Sequence, residues 1–183
     1  MPKIPKQLKT VIKIGDVQKI LIQANALPHP YNLRLKAAIL LTATSGLRAE
    51  EVYKLEREDF DLENRTIYLK AEKTKDFEER LVFFSEETKS ALKQYFEVSD
   101  YVLFHKKSIA YWFKKIETPL RLKHMRKLSS QQSDRLGMPT AVKKLLMGHS
   151  LRGDVDLNHY DFQDEEELKK IYDRYWRDFR ILS

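Results

Sequence analysis

The residues best suited to chemistry lie in one stretch near the carboxyl end of the chain, residues 145–160, which read LLMGHSLRGDVDLNHY. An apolar helical pattern stops at Gly148, so His149 is predicted just past a helix end, on a loop that can reach a ligand. Tyr160 follows eleven residues after His149. A tyrosine on a loop near basic groups can serve as a nucleophile. The alternative is that His149 caps the helix and Tyr160 packs its ring at the edge of a domain.

A tyrosine nucleophile is credible only where the chain also supplies a basic clamp, and Arg48 is the first candidate for it. Arg48 follows Gly46, where a buried helix is predicted to stop, and it precedes a short helix predicted over residues 49–55. A guanidinium in such a bend is partly buried, and its planar fork is suited to holding a phosphate. The alternative is a surface ion pair with Glu51, three residues further along the chain.

Further cations lie on two other predicted elements. The segment KAEKTKDFEER, between two predicted strands, forms a hairpin tip that carries Lys73 and Lys75. A helix predicted over residues 119–136 carries Lys123 and Arg126, which point to one face because they are three residues apart. For an isolated helix, a solvated basic face is the simpler explanation of these residues.

The hydrophobic pattern of the whole chain is mostly helical. Helices are predicted over residues 16–27, 30–45, 49–55, 86–96, 109–116, 119–136, 141–147 and 165–179, and strands over residues 66–69 and 81–84. Asp16 and Ser85 are the predicted N-caps of two of these helices. The predicted fold class is therefore mainly α with a small antiparallel β-sheet (α+β).

The composition narrows the class of function. The chain has 183 residues and a net charge of +7, enough length for one domain with a sizeable core. A basic balance of this size suggests a polyanionic partner, with nucleic acid as the first candidate. The absence of cysteine excludes disulfides, thiol catalysis and thiolate metal sites, and it fits a reducing compartment. No apolar run approaches the ~18–20 residues that span a bilayer.

The order and spacing of these residues resemble the catalytic domain of tyrosine recombinases, also called phage-type integrases. TSGLRAEEV, residues 44–52, is similar to the first arginine box of that family. Residues 123–150 are similar to the second box, a His-x-x-Arg pattern followed by a Gly-His pair, and NHYDF carries the tyrosine. The resemblance runs from about Asp16 to the carboxyl end. It implies the recombinase fold and a DNA strand transferase that needs no metal, cofactor or ATP.

The resemblance implies a role for each residue of the clamp. Tyr160 is the implied nucleophile, which attacks the phosphorus to give a 3′-phosphotyrosyl link and a free 5′-hydroxyl. Tyr172 and Tyr175 are its rivals, although both are predicted on a regular helix with apolar neighbours. Arg48 and Arg126 are the implied ligands of the non-bridging phosphate oxygens.

Three more roles follow from the same resemblance. A hairpin lysine protonates the departing 5′-oxygen, and the spacing before Arg80 favours Lys75, with Lys73 as the alternative. Glu51 matches an acidic residue that orients the site. His149 matches a late histidine that hydrogen-bonds the scissile phosphate.

The chain departs from the family pattern at Lys123, where histidine is usual. His124 lies one residue out of register, about 100° around the helix. Lysine can donate to a phosphate, but it is a poorer proton acceptor at neutral pH. Integrases of archaeal viruses and plasmids resemble this chain in having Lys-x-x-Arg and a His-Tyr pair. The predicted contacts to DNA outside the catalytic set are Lys73, Lys127, Arg121 and Arg152.

The expected organisation is a basic arm or linker over residues 1–15 and a catalytic domain over residues 16–183, with a tail helix over residues 164–180. The apolar stripe of this tail either packs on its own domain or docks on a neighbouring subunit. The expected partner is double-stranded DNA, bound by a homo-tetramer that can be monomeric in solution. The expected location is the cytoplasm, as a prokaryotic or viral protein that acts in the host cell, with no membrane partner.

Two other functions fit the same residues. A type IB topoisomerase uses the same tyrosine chemistry to relax supercoiled DNA. A non-catalytic DNA-binding protein could keep the fold without the reaction, although the intact set of Arg48, Arg126, His149 and Tyr160 argues against it.

Overall fold

The computed structural model describes residues 11–149 and 164–182, which form eight α-helices and one sheet. The helices are α1 (Ile14–Asn25), α2 (Tyr31–Ser45), α3 (Ala49–Val52), α4 (Glu86–Phe96), α5 (Lys106–Lys115), α6 (Leu122–Arg135), α7 (Thr140–Leu146) and α8 (Glu165–Trp176). The strands are β1 (Phe60–Asp61), β2 (Thr66–Leu69) and β3 (Arg80–Phe83). The predicted class, mainly helical with a small antiparallel sheet, is confirmed. No helix within these ranges combines the length and hydropathy that a bilayer crossing requires.

Helix α2 is the centre of the core because it is apolar on nearly every side. Residues 37–45 are all buried, and the helix packs against α1, α4 and α6. The hydroxyls of Thr42, Thr44 and Ser45 each donate to the carbonyl four residues back, so their burial leaves no unsatisfied donor. The helix ends, as predicted, at Gly46, which has a φ of +72°.

The sheet has the order β1-β2-β3, with both pairs antiparallel. Ile67 and Leu69 are buried, whereas Tyr68 between them is 53 % exposed, so one face of β2 covers the core. Leu69 lies opposite Arg80. Arg80 therefore stands at the end of the sheet where the connection over residues 70–79 returns to β3.

The first helix begins earlier than the sequence predicted. Its N-cap is Lys13, and Asp16 is its third residue, whose carboxylate accepts the backbone N–H of Lys13 at 3.4 Å. The prediction of Asp16 as the N-cap is therefore wrong. Ile12 is 1 % exposed, so the core begins within the segment expected to be an arm. Ser85 caps α4 as predicted and accepts the N–H of Thr88 at 3.2 Å.

Helix α8 packs on its own chain. Tyr172 is 3 % exposed and donates its hydroxyl to the carbonyl of Thr44 at 2.7 Å. The indole of Trp176 is 1 % exposed and donates to the hydroxyl of Ser133 at 3.0 Å. Of the two placements expected for the apolar stripe, the structure has the one within its own core, and docking on a neighbouring subunit does not agree with it.

Candidate active site

The ends of α2 and α7 meet at the site, and each presents a glycine carbonyl to an arginine. Gly46 accepts a hydrogen bond from Nη1 of Arg126, and Gly148 accepts one from Nη2 of Arg48 at 3.4 Å. The last carbonyls of a helix carry partial negative charge, which attracts cations. The two bonds cross-link the segments of the two arginine boxes, which lie far apart in the sequence.

Glu51 anchors two arginines from inside the protein. It is 1 % exposed and accepts the backbone N–H of Arg48 at 2.8 Å and Nη1 of Arg48 at 3.1 Å. Arg80 donates Nη1 and Nη2 to its two oxygens at 3.0 and 2.8 Å. Burial alone raises the pKa of Glu51, but the bonds and charge of Arg80 and then of Arg48 lower it below 4.5. The carboxylate is therefore ionised at neutral pH and holds both guanidinium groups.

Arg126 completes a cluster that carries more positive than negative charge. Burial, together with the positive charges of Arg48 and Arg80, lowers the pKa of Arg126 to about 10, against the opposing charge of Glu51. Arg126 is still charged at pH 7. Three guanidinium groups around one carboxylate leave a fixed positive field, which favours a bound anion and developing negative charge.

His149 stands at the rim of this cluster on a defined turn. Its backbone N–H donates to the carbonyl of Lys144 at 3.0 Å, and Gly148 donates to Leu145 at 3.0 Å, the paired bonds of a Schellman helix end. The predicted position of His149 just past a helix end is thus confirmed. Partial burial, and then the charges of Arg126 and Arg48, lower the pKa of His149 below 6.5.

Lys73, one of the two hairpin lysines, lies inside the protein. It is 8 % exposed, and its ammonium donates to Asp59 at 2.6 Å and to Glu56 at 2.9 Å. Despite the cost of burial, these two carboxylates raise the pKa of Lys73. The placement contradicts the prediction that Lys73 contacts DNA, and it also argues against Lys73 as the proton donor. The sequence does not reveal this placement, because the two carboxylates that Lys73 neutralises, near the start of β1, lie far from it in the chain.

Lys75 is exposed on the same loop, two residues beyond Lys73. Its neighbour Asp76 approaches Arg48, with 3.7 Å between the carboxylate and Nη2. A cavity of about 120 Å³, lined in part by Asp76, Arg80 and His149, opens between this loop and the end of α7. The loop thus brings Asp76 to the arginine cluster and carries an exposed lysine at the preceding position.

The predicted basic residues of α6 have different surroundings. Lys123 is exposed and Lys127 half-buried, whereas the guanidinium of Arg121 donates to the carbonyls of its own loop. His124, the histidine out of register, accepts the backbone N–H of Arg121 at 2.8 Å and so caps the helix. Its ring therefore has a local structural partner outside the arginine cluster.

Tyr160 and Arg152 lie outside the described residues, so their predicted roles rest on the sequence. The structure does remove one rival nucleophile. Burial raises the pKa of Tyr172 well above 10, and its hydroxyl is occupied by the carbonyl of Thr44. Tyr175 is half-buried in the cluster that α8 forms with α7.

Arg80 is the site residue that the sequence prediction missed. In the sequence it is one arginine in a charged run, FEER, ahead of an apolar strand. Its pairing with Glu51 spans 29 positions, so no local pattern reveals it. A charged residue at the first position of a buried strand was the available signal.

The arrangement can hold an oxyanion by hydrogen bonds and charge. Among the residues that the structure describes, no group of three or more His, Asp or Glu side chains is placed to hold a metal ion. The cluster of Arg48, Arg80 and Arg126 with His149 at its rim is the kind of site that binds a phosphodiester.

Comparison with known proteins gives the family. The sequence model of the phage integrase family matches residues 11–156. The chain therefore belongs to the phage integrase family. It is 39 % identical over 97 residues to tyrosine recombinase XerA of Saccharolobus solfataricus, a match to 51 % of this chain and 31 % of the relative. It is 26 % identical over 141 residues to tyrosine recombinase XerC of Lactobacillus leichmannii, a match to 76 % of this chain and 47 % of the relative.

Solved structures show the same fold. A crystal structure of XerA recombinase matches with a TM-score of 0.64 at 19 % identity, over 98 % of this chain and 68 % of that one. The Tn1549 transposon integrase, solved in complex with circular intermediate DNA, matches with a TM-score of 0.61 at 17 % identity, over 92 % and 66 %. The matches therefore span about a third to two thirds of the length of these relatives.

Proposed function

We propose that this chain is the catalytic domain of a site-specific DNA recombinase or integrase. It cuts one strand of double-stranded DNA and rejoins it through a 3′-phosphotyrosyl intermediate, with no metal or ATP. The observation that carries the proposal is the cluster of Arg48 and Arg126 against the ends of α2 and α7, with His149 at its rim. Membership of the phage integrase family supports the same reaction.

Tyr160 supplies the nucleophile. Its phenolic oxygen loses a proton and bonds to the phosphorus, while the bond from phosphorus to the 5′-oxygen breaks. The 5′-oxygen takes a proton from Lys75 and leaves as a hydroxyl. In the reverse step a 5′-hydroxyl attacks the phosphotyrosine and releases the tyrosine. The number of phosphoester bonds is unchanged, so rejoining needs no external energy.

The remaining residues act on charge and position. Arg48 and Arg126 bind the non-bridging oxygens, where negative charge accumulates as the phosphorus becomes five-coordinate; loss of such a donor typically costs about 10²–10³ in rate. Neutral His149 and the ammonium of Lys123 hydrogen-bond the same phosphate. Glu51 orients the cluster. Lys127, Arg121 and Arg152 bind the DNA backbone and take no part in the reaction itself.

The assembly that performs recombination is a homo-tetramer on DNA, formed by a chain that is monomeric when free. The Lys-x-x-Arg pattern at Lys123 and Arg126, with the pair His159-Tyr160, supports a relationship to integrases of archaeal viruses and plasmids. The similarity to XerA of an archaeon supports the same relationship. The protein acts on DNA inside the host cell.

The test uses a pool of DNA duplexes with randomised centres, each carrying a nick that lets the cleaved end diffuse away. A recombinase becomes trapped as a covalent adduct that survives denaturing electrophoresis, and sequencing of the trapped DNA returns a common site. Two copies of that site on one plasmid are then recombined. Relaxation of supercoiled DNA without recombination would support a topoisomerase, and binding without any adduct would contradict a catalytic role.

A further inference from the structure

Arg80 holds Glu51 by the geometry that two planar groups prefer. Its two Nη atoms face the two carboxylate oxygens at 3.0 and 2.8 Å, which is a fork-to-fork pair. Both groups are shielded from water, with side chains 14 % and 2 % exposed. Shielding strengthens the attraction between the two groups relative to a surface ion pair.

The guanidinium of Arg48 makes the weaker hydrogen bond to the carboxylate of Glu51. One guanidinium nitrogen of Arg48 reaches Glu51, at 3.1 Å, and the other lies near Gly148 and Asp76 at 3.4 and 3.7 Å. Because Arg80 occupies the bidentate position, Arg48 cannot turn both of its nitrogens onto Glu51. Arg80 also neutralises the carboxylate, so the positive charge of Arg48 remains available to a phosphate.

The face of the Arg80 guanidinium also supports the turn that carries His149. A Cβ atom at Gly148 would lie 2.6 Å from Cζ, 2.7 Å from Nη1 and 2.8 Å from Nε of Arg80. Such distances mean that the glycine backbone rests directly on the guanidinium. One side chain therefore contacts both the partner of Arg48 and the turn before His149.

The position of Arg80 between Glu51 and Gly148 leaves one of its buried polar atoms without a hydrogen bond among the described residues. Its Nε is buried, and no atom in the described part of the chain accepts a hydrogen bond from it. A buried donor without a partner lowers the stability of the folded chain. A residue that served stability alone would be expected to satisfy this group.

We propose that Arg80 is a positioning residue, which occupies Glu51 so that the weakly held Nη2 edge of Arg48 stays charged and available to the phosphate, and which supports the Gly148-His149 turn. The proposal rests on the proposed function for its link to catalysis. Its claim about phosphate binding can be tested separately. The control residue is Arg65, another buried arginine in a bidentate pair, with Asp173 at 2.8 and 2.7 Å.

The first experiment measures inorganic phosphate binding by NMR of arginine side-chain resonances. Arg80→Lys keeps the charge but loses the fork, and we expect it to weaken phosphate binding at least fivefold. Arg65→Lys changes the same atoms at a distant pair, and phosphate should bind to it as to the wild type. Equal phosphate affinity in folded Arg80→Lys and wild type would overturn the proposal, whether or not the protein cleaves DNA.

The second experiment measures single-turnover adduct formation at saturating DNA. Arg80→Lys should react about ten- to a hundredfold more slowly than wild type at unchanged DNA affinity, whereas Arg65→Lys should lose thermal stability alone. Since Arg80 acts mainly through Arg48, the double variant Arg48→Ala/Arg80→Lys should lose clearly less than the product of the two single losses. Losses that multiply would overturn the proposed route through Arg48. A protein whose phosphate binding weakens in Arg80→Lys but whose wild type forms no adduct would contradict the recombinase function and leave the positioning role standing.

Discussion

Arg48 divides its guanidinium among three acceptors, and only one of them is exposed. Glu51 and the carbonyl of Gly148 fix its position, whereas Asp76, 44 % exposed, approaches Nη2 at 3.7 Å. An exposed pair of this kind contributes about 0–1 kcal/mol. In the proposed reaction a phosphate oxygen takes the edge of Arg48 that Asp76 approaches, and Asp76 is held weakly enough to be displaced.

Replacing Asp76 by asparagine should therefore help the substrate. We expect Asp76→Asn to increase DNA affinity by about two- to fivefold, the effect of removing one weak competing pair. The measurement is equilibrium binding to a duplex at fixed salt. Glu78→Gln removes the same charge from the same loop and is the control for general repulsion. An equal gain in both variants would mean that Asp76 acts through its charge alone and does not compete at Arg48.

His149 should be neutral at physiological pH. Partial burial and the nearby arginines lower its pKa below 6.5, so a histidine NMR titration should place its midpoint below that value. The unfolded chain then binds the proton more readily, so the stability contributed by neutral His149 is lost as pH falls below 6.5 through the folded pKa. Arg126→Met should move the midpoint upward, and no movement would exclude Arg126 as a cause.

The residues that the sequence could predict are those with a local signature. The positions of Gly46, Gly148 and His149 followed from where apolar periodicity stops, and the N-cap at Ser85 from its first turn. Arg80 could not be found in this way, because its pairing is made 29 positions away. The same holds for Lys73. In the sequence it looks like a surface charge, because its burial depends on Asp59 elsewhere in the chain.

Among the elements, α8 was the least certain, because an amphipathic stripe does not identify the surface that covers it. In the structure the stripe has specific partners, because Tyr172 hydrogen-bonds to α2 and Trp176 hydrogen-bonds to α6. Residues of α8 also pack against β3 and α7. The helix therefore closes the core beside β3 and α7, and in the sequence the segment that carries Tyr160 directly precedes it.

Removing the anchor of α8 should destabilise the whole domain. We expect Trp176→Ala to lower the free energy of unfolding by about 3–5 kcal/mol, as for other buried aromatic residues. Arg174→Ala, on the exposed side of the same helix, should change it little. Urea denaturation measures both. A chain lacking residues 165–183 that melts like the intact protein would show that α8 is dispensable for the core.

For the molecule as a whole, the net charge is +7. Its effect on binding to a polyanion depends on which cations are exposed. Lys73 and Lys75 are two residues apart on one loop, yet one is buried between two carboxylates and the other is exposed. The number of lysines and arginines counted from the sequence therefore overstates the cations available to DNA. The number of counterions that DNA releases on binding depends on the exposed cations alone.

The two lysines should accordingly give opposite results when each is changed to methionine. Lys75→Met should reduce the slope of log Kd against log salt by about 0.9, the value for one phosphate contact, with unfolding unchanged. Lys73→Met should leave that slope unchanged for folded protein and lower the unfolding free energy by about 3–5 kcal/mol, because Asp59 stays buried without its partner. A reduced salt slope in Lys73→Met, with an unchanged slope in Lys75→Met, would identify Lys73 as the DNA contact.

The central claim is that Tyr160 forms the covalent link to DNA, and peptide mapping of the trapped adduct tests it most directly. The adduct is digested with protease and nuclease, and mass spectrometry locates the residue that retains the nucleotide. We expect the nucleotide on Tyr160, an adduct in Tyr175→Phe, and none in Tyr160→Phe although that variant still binds DNA. A nucleotide on Tyr172 or Tyr175, or an adduct that persists in Tyr160→Phe, would contradict the claim.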